Sequence, residues 1–189
     1  MRQLFLLIGL SIILSACGGY PIETTMSEEV PEFEFVNQEG ESFGLKDLEG
    51  EWWIADFIFT NCTTVCLPMT ANMAKLQEMM KEEGIDAQLV SFSVDPDFDT
   101  PEILKAYGES YKADFSNWNF LTGYDFDTIK ELSIKTFKSI LAEPPEGTNQ
   151  VTHGTSFFLV SPEGEVIKSY NGAISDNMKS IISDLKKVQ

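Results

Sequence analysis

Residues 52–69 read WWIADFIFTNCTTVCLPM. The first eight, Trp52 to Phe59, are apolar at every position except Asp56. That is the composition of a strand buried on both faces of a sheet. A helix follows, in which Met69, Met73, Leu76 and Met80 form one apolar stripe at 4-3-4 spacing. Between strand and helix lies a short loop with Cys62 and Cys66. Such a loop sets both thiols at the carboxyl end of a strand and the amino end of a helix, where unpaired N–H groups and the macrodipole lower a thiol's pKa. Cys66, nearer the helix start, is expected to ionise more easily. An i, i+4 spacing brings two sulfurs within one helical turn, within reach of a disulfide and equally of one shared ion. A redox pair, a metal pair and two inert buried thiols all fit this spacing.

Outward from this unit, AQLVSFSV (87–94) reads as a second buried strand, and WNFLTG (118–123) as a short one. DTPEILKAYGESY (99–111) begins a helix with Asp99 as N-cap, Pro101 in the first turn and Glu102 three residues after the cap. DTIKELSIKTFKSIL (127–141) reads as helix, with Ile129, Leu132, Phe137 and Ile140 on roughly one side. SFFLV and EVIKSY flank the turn SPEG as a hairpin, and SDNMKSIISDL (175–185) closes the chain as an amphipathic helix. Ahead of the cysteines, EFEFVNQEGESFGL (32–45) alternates around Glu39-Gly40 as an N-terminal hairpin. Strands alternating with helices predict an α/β domain, a central sheet with helices on its faces. The methionines of the first stripe are read as core rather than as a copper-binding methionine box.

The chain opens with Met1-Arg2, an apolar stretch from Leu4 to Leu14 and LSAC ending at Cys17, the pattern of an export signal. LSACGG resembles a bacterial lipobox, which implies a signal peptide over residues 1–16, cleavage before Cys17 and lipid on its sulfur. Residues 17–30 are polar and punctuated by Gly and Pro, a lipidated flexible tether, and residues 31–189 suit a single domain. The expected location is the extracytoplasmic face of the bacterial cell membrane. Of three cysteines, the lipid takes one and a pair remains. A structural bridge closing so short a loop would add little stability.

Thirty acidic residues face thirteen basic ones, a net charge of −17. Arg2 is the only arginine and would leave with the leader. So acidic a surface repels nucleic acid and anionic headgroups, which excludes nucleic-acid binding and rests membrane residence on the lipid. Steering toward a basic partner and simple solubility both account for the charge.

His153 is the only histidine, and it stands just before a predicted strand, after the Pro/Gly-rich loop AEPPEGTNQ. A lone histidine is more often a surface or satisfied core residue. Beside two thiolates, however, an imidazole makes a soft, low-coordinate set suited to copper, with zinc as the other candidate. Asp95, in SVDPDFDTP, reads either as a turn residue before Pro96 or as a group that orders the metal loop. Asp56 is expected to escape the cost of burial at the sheet's edge, facing solvent. Its interval to Cys62 is similar to that in thioredoxins, where a buried aspartate assists proton transfer.

DFIFTNCTTVCLPM, SFSVDPDFDTPEILKAYG, WNFLTG and VTHGTSFFLVSPEGEV, in that order over nearly the whole domain, resemble the Sco/SenC family of copper-binding, thioredoxin-like proteins. The resemblance implies a thioredoxin-like fold with a central mixed sheet, and Cu(I) or Cu(II) held by Cys62, Cys66 and His153. It implies Asp95 near the copper loop, and a role in maturing the dinuclear copper centre of cytochrome c oxidase subunit II. It also permits an enzymatic alternative, a thiol-disulfide reductase that uses Cys62 and Cys66 to keep the acceptor's cysteines reduced. One departure is Leu67, where the family usually has proline; here Pro68 follows.

Overall fold

The structure, a computed structural model, describes residues 19–62 and 66–189. Cys17 and the leader, with their expected cleavage and lipid, lie outside the described residues. The described chain forms strands β1 (Glu28–Glu29), β2 (Glu34–Val36), β3 (Ser42–Gly44), β4 (Trp53–Ile58), β5 (Gln88–Ser93), β6 (Trp118–Leu121), β7 (Leu141–Ala142), β8 (Thr152–His153), β9 (Ser156–Val160) and β10 (Glu165–Asn171). The helices are α1 (Cys66–Glu83), α2 (Pro101–Ser110), α3 (Phe126–Lys135) and α4 (Asn177–Val188).

Every residue of β4 is buried, and the strand sits inside a six-stranded sheet of order β1-β10-β9-β4-β5-β6. It runs parallel to β5 and antiparallel to β9, while β6 continues the parallel half. The sheet is therefore mixed, as expected, and β2 and β3 form the expected N-terminal hairpin. Period-two alternation divides β4 between two cores. Trp53, Ala55 and Phe57 face a cluster with Phe92, Phe137 and Phe158. Ile54 and Ile58 face the helical side, where Met69, Met73, Leu76 and Met80 of α1 meet Met178, Ile181 and Leu185 of α4. All four residues of the α1 stripe are at most 1% exposed, so these side chains are core.

Three local expectations change. The helix expected to reach Leu141 stops at Lys135. Phe137 swings into the aromatic core against Trp53, Phe57 and Phe158, Lys138 takes a left-handed conformation, and the freed Leu141 pairs as a strand with His153. The cap of α2 is Thr100, whose hydroxyl accepts from the Ile103 N–H, rather than Asp99. Asp56 lies in the centre of the sheet with no solvent exposure, not at its edge.

Ahead of Pro31, where a flexible tether is expected over residues 17–30, the described chain from Tyr20 onward is instead laid against the sheet. The Tyr20 ring meets Trp52 edge-on at 5.6 Å and its hydroxyl donates to Glu165. The Thr25 and Met26 N–H groups donate to the Ile167 carbonyl, and β1 pairs antiparallel with β10.

Candidate metal centre

The parallel strands β4 and β5 end on the same side of the sheet, and the loops leaving those ends build the site. Cys62 follows β4 through Thr60 and Asn61, closing a turn in which its N–H donates to the Phe59 carbonyl at 3.3 Å. It is 6% exposed. Cys66 opens the described part of α1.

Long-range contacts hold the described start of the cysteine loop at Thr60 and Asn61. Asp99, buried completely, reaches back from beyond β5 and accepts from the Thr60 hydroxyl at 2.5 Å and the Thr60 N–H at 3.2 Å. It also accepts from the Ser93 hydroxyl at 2.6 Å. From the other side, the Gln150 side-chain amide donates to the Asn61 carbonyl at 3.0 Å, which ties the loop before His153 to the loop before Cys62.

His153 is delivered by its own backbone pairing. The β7–β8 bridge sets Leu141 opposite His153, and the Gly154 N–H donates to the Ile140 carbonyl at 3.0 Å. A Cβ at position 154 would collide with the Ser139 hydroxyl, so only glycine permits so close an approach of these two segments. The imidazole, 9% exposed, meets the Phe59 ring edge-on at 5.6 Å. Its Nδ1 lies 2.8 Å from the Gly154 carbonyl. A carbonyl only accepts, so Nδ1 carries the proton and Nε2 the lone pair, the tautomer a metal ligand needs. Burial pushes the imidazole below its ordinary pKa, only partly opposed by that hydrogen bond. The ring is therefore neutral at neutral pH.

Cys62 and His153 line one cavity of about 410 Å³, together with Pro145, Thr148 and Gln150. Two of the three expected ligands are thus brought to a single space from distant parts of the chain. Asp95 is not among the residues that line it. It sits in the turn after β5, its N–H bound to the Ser93 hydroxyl and its carbonyl accepting from the Phe98 and Asp99 N–H groups. Burial, then the carboxylates of Asp99 and Asp97, push the Asp95 carboxyl above its ordinary value. Burial likewise raises Asp99, against the Ser93 and Thr60 hydrogen bonds that favour its charge. Carboxylates clustered beside the cysteine loop make a field that favours a cation.

The sequence points to neither Thr60 nor Gln150, and it offers Asp99 only as a helix cap, not as the residue that holds the cysteine loop. A signal for Asp99 does exist: Asp99-Thr100-Pro101 offers two capping residues for one helix start, and the one not used is available for another task.

Beneath the site, Asp56 accepts from the Ser91 hydroxyl at 2.6 Å, which itself accepts from the Trp118 indole N–H at 3.0 Å. Its second oxygen has no hydrogen-bond partner among the described residues. Burial pushes its carboxyl up to about 7.

Comparison with known proteins agrees with this geometry. The SCO1/SenC family model matches residues 22–189. The chain is 52% identical to a solved SCO1/SenC family lipoprotein from Bacillus anthracis, with a TM-score of 0.81 over 85% of this chain and 95% of that one. It is 48% identical to BsSco, described as having a disulfide switch and as a member of the Sco family of cytochrome c oxidase assembly proteins; the TM-score is 0.80 over 88% and 96% of the two chains. Yeast Sco1 with copper bound is 26% identical, with a TM-score of 0.69 over 84% and 89%. A match across the whole described domain, on a mixed sheet whose cysteine loop faces a buried histidine, establishes that the chain belongs to the SCO1/SenC family.

Proposed function

We propose that this chain is a copper carrier, held by lipid on Cys17 at the extracytoplasmic face of the bacterial cell membrane. It takes copper through Cys62, Cys66 and His153 and delivers it to the dinuclear copper centre of cytochrome c oxidase subunit II. The observation that carries the reading is the shared cavity of Cys62 and His153. A neutral imidazole with its lone pair on Nε2 beside a cysteine suits a soft ion, and disulfide exchange requires no such third group. Copper in yeast Sco1, the oxidase-assembly description of BsSco and the lipoprotein description of the Bacillus anthracis relative support the cargo, the acceptor and the anchor respectively.

Transfer proceeds by ligand exchange, with the protein's donors leaving one at a time as the acceptor's arrive. The loop that carries His153 is joined to the cysteine loop by the Gln150–Asn61 hydrogen bond, so withdrawal of one ligand is coupled to the position of another. The test is anaerobic titration of the reduced protein with Cu(I) and Cu(II), comparing wild type with Cys62→Ser and His153→Ala. One equivalent bound by wild type, with strong weakening in both variants, is expected; unchanged affinity in His153→Ala overturns the three-ligand site.

The disulfide switch described for BsSco favours a second reading. In it, Cys62 and Cys66 reduce the acceptor's cysteines before copper is loaded, forming a Cys62–Cys66 disulfide as the acceptor's disulfide becomes two thiols. Oxidase assembly that survives His153→Ala but not Cys62→Ser selects this reading.

A further inference from the structure

We infer that the domain stands on the bilayer by the end of the sheet that carries Tyr20 and Trp52, and so presents the Cys62–His153 cavity at the opposite end, away from lipid. The inference rests on the proposed anchor at Cys17 and goes beyond it by orienting the domain.

Strand direction separates the two ends. Trp52 precedes β4, and its carbonyl accepts from the Gln88 N–H at the start of β5. Cys62 lies past the other end of β4. Six residues of strand advance about 17 Å from first to last, and the cavity lies beyond that. β9 agrees: Val160 pairs with Trp53, and its opposite end, Ser156, leads back to His153.

The described chain begins at the near end and is fastened there. Tyr20 is clamped by Trp52 and Glu165. The Ser27 hydroxyl donates to the same Glu165 at 2.6 Å, and the Val30 N–H donates to the Gly164 carbonyl at 2.9 Å. Only Gly18 and Gly19 separate Cys17 from Tyr20. Three Cα steps reach at most about 11 Å, which is shorter than β4, so an anchored Cys17 cannot carry the lipid to the cavity end.

The bilayer holds this end by the anchor and not by adhesion. Exposed Glu49, Asp86 and Glu163 flank it and outnumber the exposed Lys46, while Lys186 is paired with Glu83, so this end is net acidic and anionic headgroups are repelled. A partner for the cavity must then approach from the aqueous side, with its own thiols displayed well above the lipid surface.

The test uses the lipidated full-length protein, its acyl-glyceryl group verified by mass spectrometry, in phosphatidylcholine nanodiscs containing a gadolinium-chelate headgroup lipid. Amide signals of Gly50, Asp86 and Glu163 are expected to be severalfold weaker than those of Phe98 and Thr152. About 20 Gly/Ser residues inserted between Gly19 and Tyr20, spanning ~25 Å, are expected to level the two ends. Equal or greater broadening at Phe98 and Thr152 in the lipidated protein overturns the orientation while leaving the anchor standing. Absence of the acyl-glyceryl mass overturns the anchor reading and the orientation with it.

Discussion

Replacing Asp99 by alanine is the most informative single perturbation, because this carboxylate, carried beyond β5, hydrogen-bonds the loop that follows β4. It is fully buried and accepts three well-formed hydrogen bonds, two from Thr60 and one from Ser93. Hydrogen bonds to a charged group contribute roughly 1.5–3 kcal/mol each. The sum is offset by the penalty of burying the carboxylate, which is large enough to raise its pKa despite those bonds. The net loss in Asp99→Ala is therefore put at about 3 kcal/mol. Asp99→Asn, which retains one acceptor oxygen, is put at about half of that. Denaturant unfolding of the reduced protein measures both values. Thr60 stands two residues before Cys62, so releasing it is expected to cost the proposed metal site its preorganisation. If about 1.4 kcal/mol of the loss falls on the loop, Cu(II) binds roughly tenfold more weakly. Competition titration on samples shown to be folded reads that change. A variant destabilised as expected yet binding copper with wild-type affinity would refute a positioning role. Unchanged stability would refute the hydrogen-bond reasoning itself.

Asp95→Ala is expected to weaken copper retention through loss of local negative charge, by less than Asp99→Ala because its carboxylate does not line the cavity; equal or larger weakening would place it in direct contact with the ion. Asp56 titrates near 7 in the folded state against ~4 unfolded, so the folded state binds more protons between these values and stability falls as pH rises through that window. About three pKa units correspond to roughly 4 kcal/mol, and the wild-type minus Asp56→Asn difference in unfolding free energy, followed from pH 4 to 8, measures it; a flat difference refutes the buried, protonated carboxyl. Gly154→Ala drives a Cβ into the Ser139 hydroxyl and is expected to cost about 1–3 kcal/mol, displacing β8 and weakening copper binding. Adding Ser139→Ala should restore much of the loss, and strict additivity in that double-mutant cycle would show that the two groups do not meet.

The two-faced burial of β4 was legible because eight nearly unbroken apolar residues have no other place in a sheet, and the α1 stripe followed from helical period alone. The cysteine loop at a strand–helix junction was legible for the same local reason. Asp56 was misplaced because the cost of burying a charge argues for an edge; in the structure a raised pKa and the Ser91 hydroxyl meet that cost at the centre instead. Helix α3 is shorter than its periodicity predicts because Phe137 fits a helical stripe as well as it fits the aromatic core that captures it.

From the sequence by itself came the α/β architecture, the candidate donors and their soft-ligand chemistry, all set by periodicity and residue type over a few neighbouring positions. Tertiary structure alone decided that Leu141 would pair with His153, that Asp99 would leave its helix to bind Thr60, and that the chain from Tyr20 would dock opposite the cavity. Each of these joins groups far apart along the chain. A hydrogen-bonding side chain chooses among partners by which of them folding brings within 3 Å or so, and that distance is a property of the packed sheet.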